Sequence, residues 1–281
     1  MRTDFAVFIL SHGRADRIIT LDKYLFRTKY SGKWYILIDN MDSEAEEYKK
    51  RYGDHILIFN KEKYAETTDV MDNLHRLNCV VYARNAVFDI AKDMGLKYIH
   101  VLDDDYVALL LKNGYCGYEH NVTLVDHYDE ICDMCIDLLE ETKATSVALS
   151  QGGDWGMGTK VPILPLVKRK VMNSFFFDVD RPVKFLGTLN EDANMYAIYG
   201  NQGHLFLTVM PICLNQIQTQ SNKGGLTDIY LDFGTYVKSF YTIMLCPSAV
   251  RLKMLNGSRI HHKMLKNFLY PKYISEKYKK R

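Results

Sequence analysis

At 281 residues, with 36 Lys and Arg against 34 Asp and Glu, the chain carries a formal net charge of +2. That balance excludes bulk electrostatics as a source of nucleic-acid affinity, so any such affinity must come from local patches. A composition of 47% hydrophobic and 25% charged residues is ordinary for a soluble globular protein, with material for one large α/β domain or two packed halves.

Four strand candidates come early, at residues 5–10, 34–38, 55–59 and 98–102, separated by helix-compatible segments at 17–28, 43–51 and 78–94. Short apolar strands alternating with helices predict parallel βαβ units in an open, doubly wound sheet. Ligands gather at the carboxyl ends of such strands. The residues there are Ser11-His12-Gly13-Arg14, Asp39-Asn40, Asn60 and Asp103-Asp104-Asp105, all polar apart from one glycine. Ser11–Arg14 has neither the glycine spacing of a dinucleotide-binding turn nor a Gly-Lys-Ser/Thr, which excludes those two nucleotide classes. Arg14 in that turn suits a phosphate or a base, or a solvated position beyond a turn closed by Gly13. In the third helix Asn78 is placed to cap and Gly95 to terminate. Val80, Val87, Ile90 and Met94 make an apolar stripe, with Arg84-Asn85 at its edge.

The aspartate triplet follows the apolar run at 98–102. On an extended backbone Asp103 and Asp105 share one face and Asp104 takes the other. Two carboxylates on one face repel unless a cation lies between them. Hard divalent ions such as Mg²⁺ and Mn²⁺ favour oxygen ligands completed by water or substrate phosphate. The pattern therefore points to a metal that binds a diphosphate, with a solvated acidic loop as the alternative.

Beyond the triplet come a Gly/Tyr/Cys loop at 114–121, an acidic amphipathic helix at 126–141, a strand at 145–149 and a Gly-rich stretch at 151–158. A strand at 171–180, a helix opening on Glu191-Asp192, a strand at 206–211, a loop at 222–225 and a helix at 226–241 follow. The final segment is basic, with Lys263, Lys266, Lys272, Lys277, Lys279, Lys280 and Arg281 against Glu276 alone. Such a tail steers a polyanion such as DNA, or is a solvated, frayed end. Six cysteines are scattered; the Cys132/Cys135 pair lies in the acidic helix without the second pair a zinc site needs, and reduced structural thiols are expected. With no signal peptide and no apolar run of membrane-spanning length, a soluble cytoplasmic protein is expected.

Glu191-Asp192 fits a helix start stabilised by the macrodipole, or a general base for an acceptor hydroxyl. His261-His262 follow Arg259-Ile260. If the pair is on a strand, at most one of them faces a metal.

With these residues in place, the chain resembles a GT-A-fold nucleotide-sugar glycosyltransferase. The resemblance implies an open twisted mixed sheet with a Rossmann-like nucleotide half and helices on both faces. One domain, 1–281, would hold a nucleotide-sugar half at 1–110 and an acceptor half at 111–281. Asp103-Asp104-Asp105 is similar to that family's metal-holding Asp-x-Asp. Asp39 is similar to the acid reading base or ribose, and Arg84-Asn85 to a pair lining the nucleotide. Ser11, His12 and Arg14 would line the same donor. Glu191-Asp192 is similar to the pair bearing the acceptor's base, with Asp192 in that role. His261 or His262 would complete a metal shell begun by Asp103 and Asp105.

More narrowly, the chain looks like the TET/JBP-associated glycosyltransferases of bacteriophages. The similarity lies in Phe8-Ile-Leu-Ser-His-Gly-Arg14, Gly224-Gly-Leu-Thr-Asp-Ile-Tyr230, Gly234-Thr-Tyr-Val-Lys-Ser-Phe240 and Arg259-Ile-His-His-Lys263 with Pro271-Lys272. It implies transfer from a UDP-sugar, with Mn²⁺ or Mg²⁺, to hydroxymethylated pyrimidines in phage DNA within the host cytoplasm. Tyr115–Tyr118, Trp155 and the basic tail would wall the DNA channel. Inversion is expected if Asp192 is the base, while retaining enzymes share the metal motif. The alternatives are a nucleotidyltransferase, and a non-catalytic nucleic-acid-binding module with a structural cation.

Overall fold

The computed structural model describes residues 2–74, 76–113, 121–151, 166–168, 174–217, 227–234, 236–255 and 259–269. Strands β1 (Phe5–Leu10), β2 (Lys33–Asp39), β3 (Ile56–Phe59) and β4 (Tyr98–Asp103) pair in parallel, in the spatial order β3-β2-β1-β4. The expected βαβ ladder extends that far. Beyond β4 the sheet is mixed: β9 (Ser174–Asp178) lies antiparallel between β4 and β7 (Ser146–Gln151). Next comes β10 (Phe206–Gln216), parallel to β7, and then β5 (Tyr106–Asn113) and β6 (Asn121–Leu124), both antiparallel. The short β8 (Leu166–Lys168) also pairs with β10. A separate hairpin joins β11 (Val250–Leu255) to β12 (Arg259–Met264).

Strand alternation sorts the core into two layers. Ala6, Phe8, Leu10, Ile99, Val101, Phe175 and Phe177 pack on one face against α3 (Val81–Asp93) and α5 (Glu191–Asn201). Phe5, Val7, Ile9, Tyr98, Leu102 and Phe176 pack on the other against α4 (Tyr128–Thr142) and the segment Thr20–Leu25. Burial of each such aromatic or aliphatic side chain contributes about 1.5–3 kcal/mol, which is what holds helices to both faces.

Several boundaries differ from the sequence expectations. The segment expected to be a helix over 17–28 forms only a π-helical stretch, Thr20–Leu25, because Thr20 is diverted to the strand ends described below. The second helix, α1, runs Ala45–Tyr52, and a short α2, Lys61–Thr67, is capped by the Asn60 side chain accepting from the Lys63 amide. Helix α3 begins at Val81 rather than after Asn78 and ends at Asp93, followed two residues on by Gly95, whose φ of +69° suits a residue without a Cβ. Its buried face holds Val81, Arg84, Val87, Phe88 and Ala91, so Arg84 lies inside the stripe and Met94 outside it. The span 226–241 is two helices, α6 (Thr227–Phe233) and α7 (Val237–Leu245), parted at Gly234 with φ +82°. A last short helix, α8 (Lys266–Leu269), packs on α5. No helix among the described residues is long and apolar enough to cross a membrane.

Cys132 and Cys135 both turn into the core from α4, where burial raises their thiols above the ordinary range. They are free thiols, as are Cys79 and Cys246.

His100 is fully buried in the central sheet. Its ring stacks on Phe176 at 3.7 Å, lies 3.1 Å from the Ser174 hydroxyl through Nε2, and meets the Tyr128 hydroxyl through Nδ1. Burial holds its pKa well below the ordinary histidine value. The unfolded chain binds the proton that the folded one refuses, so this group costs stability as pH falls through about 6.5. Thermal unfolding between pH 7.5 and 5.5 should show wild type losing about 1 kcal/mol per pH unit below 6.5 relative to His100→Gln.

Candidate active site

In the chain, β1 leads to β2 and β3 on one side and then returns to β4 on the other. The boundary between β1 and β4 is therefore a topological switch point, where open α/β sheets form their ligand crevice. Ser11–Arg14 leaves one strand there and Asp103–Asp105 leaves the other. The two turns are tied together: the Ser11 hydroxyl donates to Asp104 Oδ2 at 2.6 Å, and Arg14 Nη1 donates to Asp104 Oδ1 at 2.7 Å. Thr20, fully buried, holds the acidic turn from behind, donating to the Asp103 carbonyl at 2.6 Å and accepting from the Tyr106 amide at 2.9 Å. Tyr48 of α1 supports the other side, its hydroxyl 2.8 Å from Ser11 Oγ and accepting from the Arg14 amide at 2.9 Å.

Each aspartate has its own surroundings. Asp104 is buried, and burial raises its carboxyl while Arg14 and Ser11 pull it back. Asp103 follows the Ile99 and Val101 face toward α3, where Arg84 Nη2 donates to it at 2.9 Å. Asp105 accepts from Gln216 Nε2 at 2.8 Å and pairs with no lysine or arginine among the described residues. Burial, then the charges of Asp103 and Asp104, push its carboxyl up to about 7.

Arg84 also reaches α5. Its Nε donates to Glu191 Oε1 at 2.8 Å, and its guanidinium lies over Phe175 and Phe185. Burial opposes its charge, but Asp103 and Glu191 overcome that and raise its pKa. Glu191 is itself buried, which raises its carboxyl against the pull of Arg84. Asp192 is partly exposed and accepts from the Ala193 amide at 2.6 Å. Ahead of both, Asn190 is left-handed at φ +59° and donates to the Lys238 carbonyl, Thr242 Oγ1 and His262 Nδ1 at 2.9–3.1 Å. Asn85 clamps the approach to α5, bonding the Phe185 backbone at 2.8 and 3.1 Å and Thr68 Oγ1 at 3.0 Å.

Asp39 is buried at the end of β2. Its Oδ2 lies 2.7 Å from both His12 Nδ1 and Lys61 Nζ, and its Oδ1 accepts from the Met41 amide at 3.0 Å. Burial works against its charge, but the His12 and Lys61 bonds win and lower its pKa, while the Asp39 bond raises that of His12. The His12 ring stays half exposed. His261 and His262 lie on β12, with His262 buried beside Asn190. Among the described residues, no three histidine, cysteine or carboxylate groups are gathered as a metal site.

The structure thus brings together Ser11, Arg14, Arg84, Asp103, Asp104, Asp105 and Glu191, with Asp192 next in sequence. His12 and Asp39 form an adjoining cluster, Asn85 is turned to backbone, and of the two β12 histidines His262 meets Asn190 at the start of α5. Thr20, Tyr48, Lys61 and Gln216 were not singled out from sequence. Tyr115–Tyr118, Trp155, residues 222–225 and the tail beyond 269 lie outside the described residues.

Residues 5–225 match the family described as TET-Associated Glycosyltransferase. The chain belongs to this family. It is a glycosyltransferase built on a mixed sheet. A mycobacterial protein of known structure is similar with a TM-score of 0.50 and 9% identity, over 93% of this chain and 83% of that one. Glucosyl-3-phosphoglycerate synthase from Mycobacterium tuberculosis, solved with Mg²⁺ and uridine diphosphate, gives 0.47 and 11% over 93% and 87%. GalNAc-T7, solved with UDP, GalNAc and Mn²⁺, gives 0.45 and 12% over 76% of this chain, which spans 44% of that one. No curated protein matches the sequence.

In this glycosyltransferase Arg14→Met leaves the Asp104 carboxylate buried without its cation. Chemical denaturation should register a loss of about 3 kcal/mol.

Proposed function

We propose that the chain transfers the sugar of a UDP-sugar to the hydroxymethyl oxygen of a modified pyrimidine in DNA, with Mn²⁺ or Mg²⁺ held by Asp105 and Asp103. The supporting observation is the charge at the switch point. Asp103, Asp104, Asp105 and Glu191, with Asp192 beside them, are answered by two guanidiniums, Arg14 and Arg84. Carboxylate oxygens suit a hard divalent ion, and one or two of them suffice when substrate phosphates complete its shell. Asp105 fits best, since its charge is raised in energy by burial and by its neighbours and has no basic partner among the described residues.

When bound, the cation supplies Lewis-acid neutralisation of the leaving diphosphate. The protein's own groups do the rest. Ser11 and Arg14 hold the acidic turn against β1, so the carboxylates that meet the donor are preorganised rather than reordered during reaction. His12 presents a polar edge, half exposed and braced by Asp39. Asp192, the more exposed carboxylate of its pair, takes the proton of the acceptor hydroxyl as that oxygen attacks the anomeric carbon, which inverts the centre. The acceptor follows from the family resemblance, and a base reached in this way leaves the DNA stack. Lys263 and Lys266, both exposed, begin the basic segment that contacts phosphates.

The test incubates the protein with a panel of nucleotide-sugars, Mn²⁺ or Mg²⁺, and hydroxymethylcytosine DNA, followed by mass analysis of the nucleosides. A hexose added to the modified base and release of UDP are expected. Release of pyrophosphate instead would identify a nucleotidyltransferase, and DNA binding without donor consumption a non-catalytic module. Asp105→Ala should remove metal-dependent turnover with the fold intact by circular dichroism; unchanged turnover would discard the metal assignment. Asp192→Asn should lower kcat about 10²–10⁴-fold, the range of a lost general base.

A further inference from the structure

Arg84 is the least exposed lysine or arginine among the described residues, at 2%. It rises from the middle of α3 with its guanidinium 5.3 Å from the ring centre of Phe175 and 5.8 Å from that of Phe185. The two carboxylates it holds come from opposite sides of the reaction. Asp103 ends β4 on the donor side, and Glu191 opens α5 on the acceptor side. A guanidinium presents its donors in a rigid planar fork, so one side chain fixes both the spacing and the orientation of the groups it binds. Helix α5 does not need this arginine merely to stay in place. Asn190 already bonds the Lys238 carbonyl and Thr242, and Asn194 bonds the Leu186 and Leu189 carbonyls at 2.9 and 3.0 Å. Arg84 adds a direct link between the α5 start and the end of β4.

We propose that Arg84 is a positioning residue for sugar transfer. Its fork sets the acceptor-side helix against the donor-side carboxylates, and by occupying Glu191 it leaves Asp192 as the member of the pair that meets the acceptor. This rests on the transfer reading above. A displacement of about 1 Å between reacting groups lowers turnover about 100-fold. Lysine at this position keeps the charge but not the fork.

The experiment compares wild type, Arg84→Lys and the double variant Arg84→Met with Glu191→Met. Each is assayed with the nucleotide-sugar that wild type consumes in the panel above, and each is melted thermally. For Arg84→Lys, kcat should fall about 100-fold while the donor KM stays within about threefold. The double variant removes the fully buried Arg84–Glu191 pair and leaves only Asp103, at the solvent edge, without its guanidinium, so its melting midpoint should fall by no more than a few degrees while kcat stays low. Arg84→Lys turnover within about threefold of wild type overturns the proposal, as does recovery of kcat together with the midpoint in the double variant; either would reduce Arg84 to a core ion pair. If wild type consumes no donor at all, the transfer reading fails and takes this inference with it. Normal wild-type turnover with unaffected variants removes only the inference.

Discussion

Negative charge buried beside the ends of β1 and β4 has to be answered locally, because a carboxylate moved from water into a protein interior costs several kcal/mol without a partner. Arg14 answers Asp104 from the strand alongside, and Arg84 answers Asp103 and Glu191 from the helix above. Much of the surrounding architecture serves those two side chains. Tyr48 holds the Arg14 backbone, and Phe175 and Phe185 enclose the Arg84 guanidinium. The matching is incomplete at Asp105, which meets no lysine or arginine among the described residues and whose carboxyl burial and the neighbouring carboxylates push up to about 7.

The first part of the sheet was readable because its signals are local. Strands β1 to β4 are short apolar runs separated by polar turns, and the prediction that Asp103 and Asp104 face different ways follows from the period of a strand. Their separate partners, Arg84 and Arg14, agree with it. The start of α5 at Glu191 was equally plain. Less legible was anything set by distant contacts. Arg84 looked like a residue at the margin of a helical stripe because Met94 was counted into that stripe, whereas burial follows the Val81, Arg84, Val87 and Ala91 side. The interior of α3 accepts an arginine because carboxylates 19 and 107 residues away in sequence meet it there.

The same limit applies to the cluster around Asp39. Asp39 looked like a reader of base or ribose, yet much of its hydrogen-bonding capacity goes to His12, Lys61 and the Met41 amide. Neither His12 nor Lys61 is close to it in sequence, so no local pattern announces the cluster. The exposed group at that point is the imidazole, and Asp39 is what orients it. Gln216 shows the converse: an unremarkable residue in sequence becomes the hydrogen-bond donor to Asp105 once β10 is in place.

That placement depends on an irregularity in β10. Against β7 its register jumps between Val209 and Cys213, and the Ser150 hydroxyl lies 2.8 and 3.0 Å from the carbonyls of Met210 and Ile212. Pro211, with no amide hydrogen, occupies the bulge where a regular ladder would want one. The strand thereby changes neighbours, leaving β8 and joining β5. Parity makes this detour consequential: loss of one residue from it would turn every later side chain of β10 to the opposite face. Gln216 would then point away from the acidic turn, so the length of a bulge far along the chain governs the solvation of Asp105.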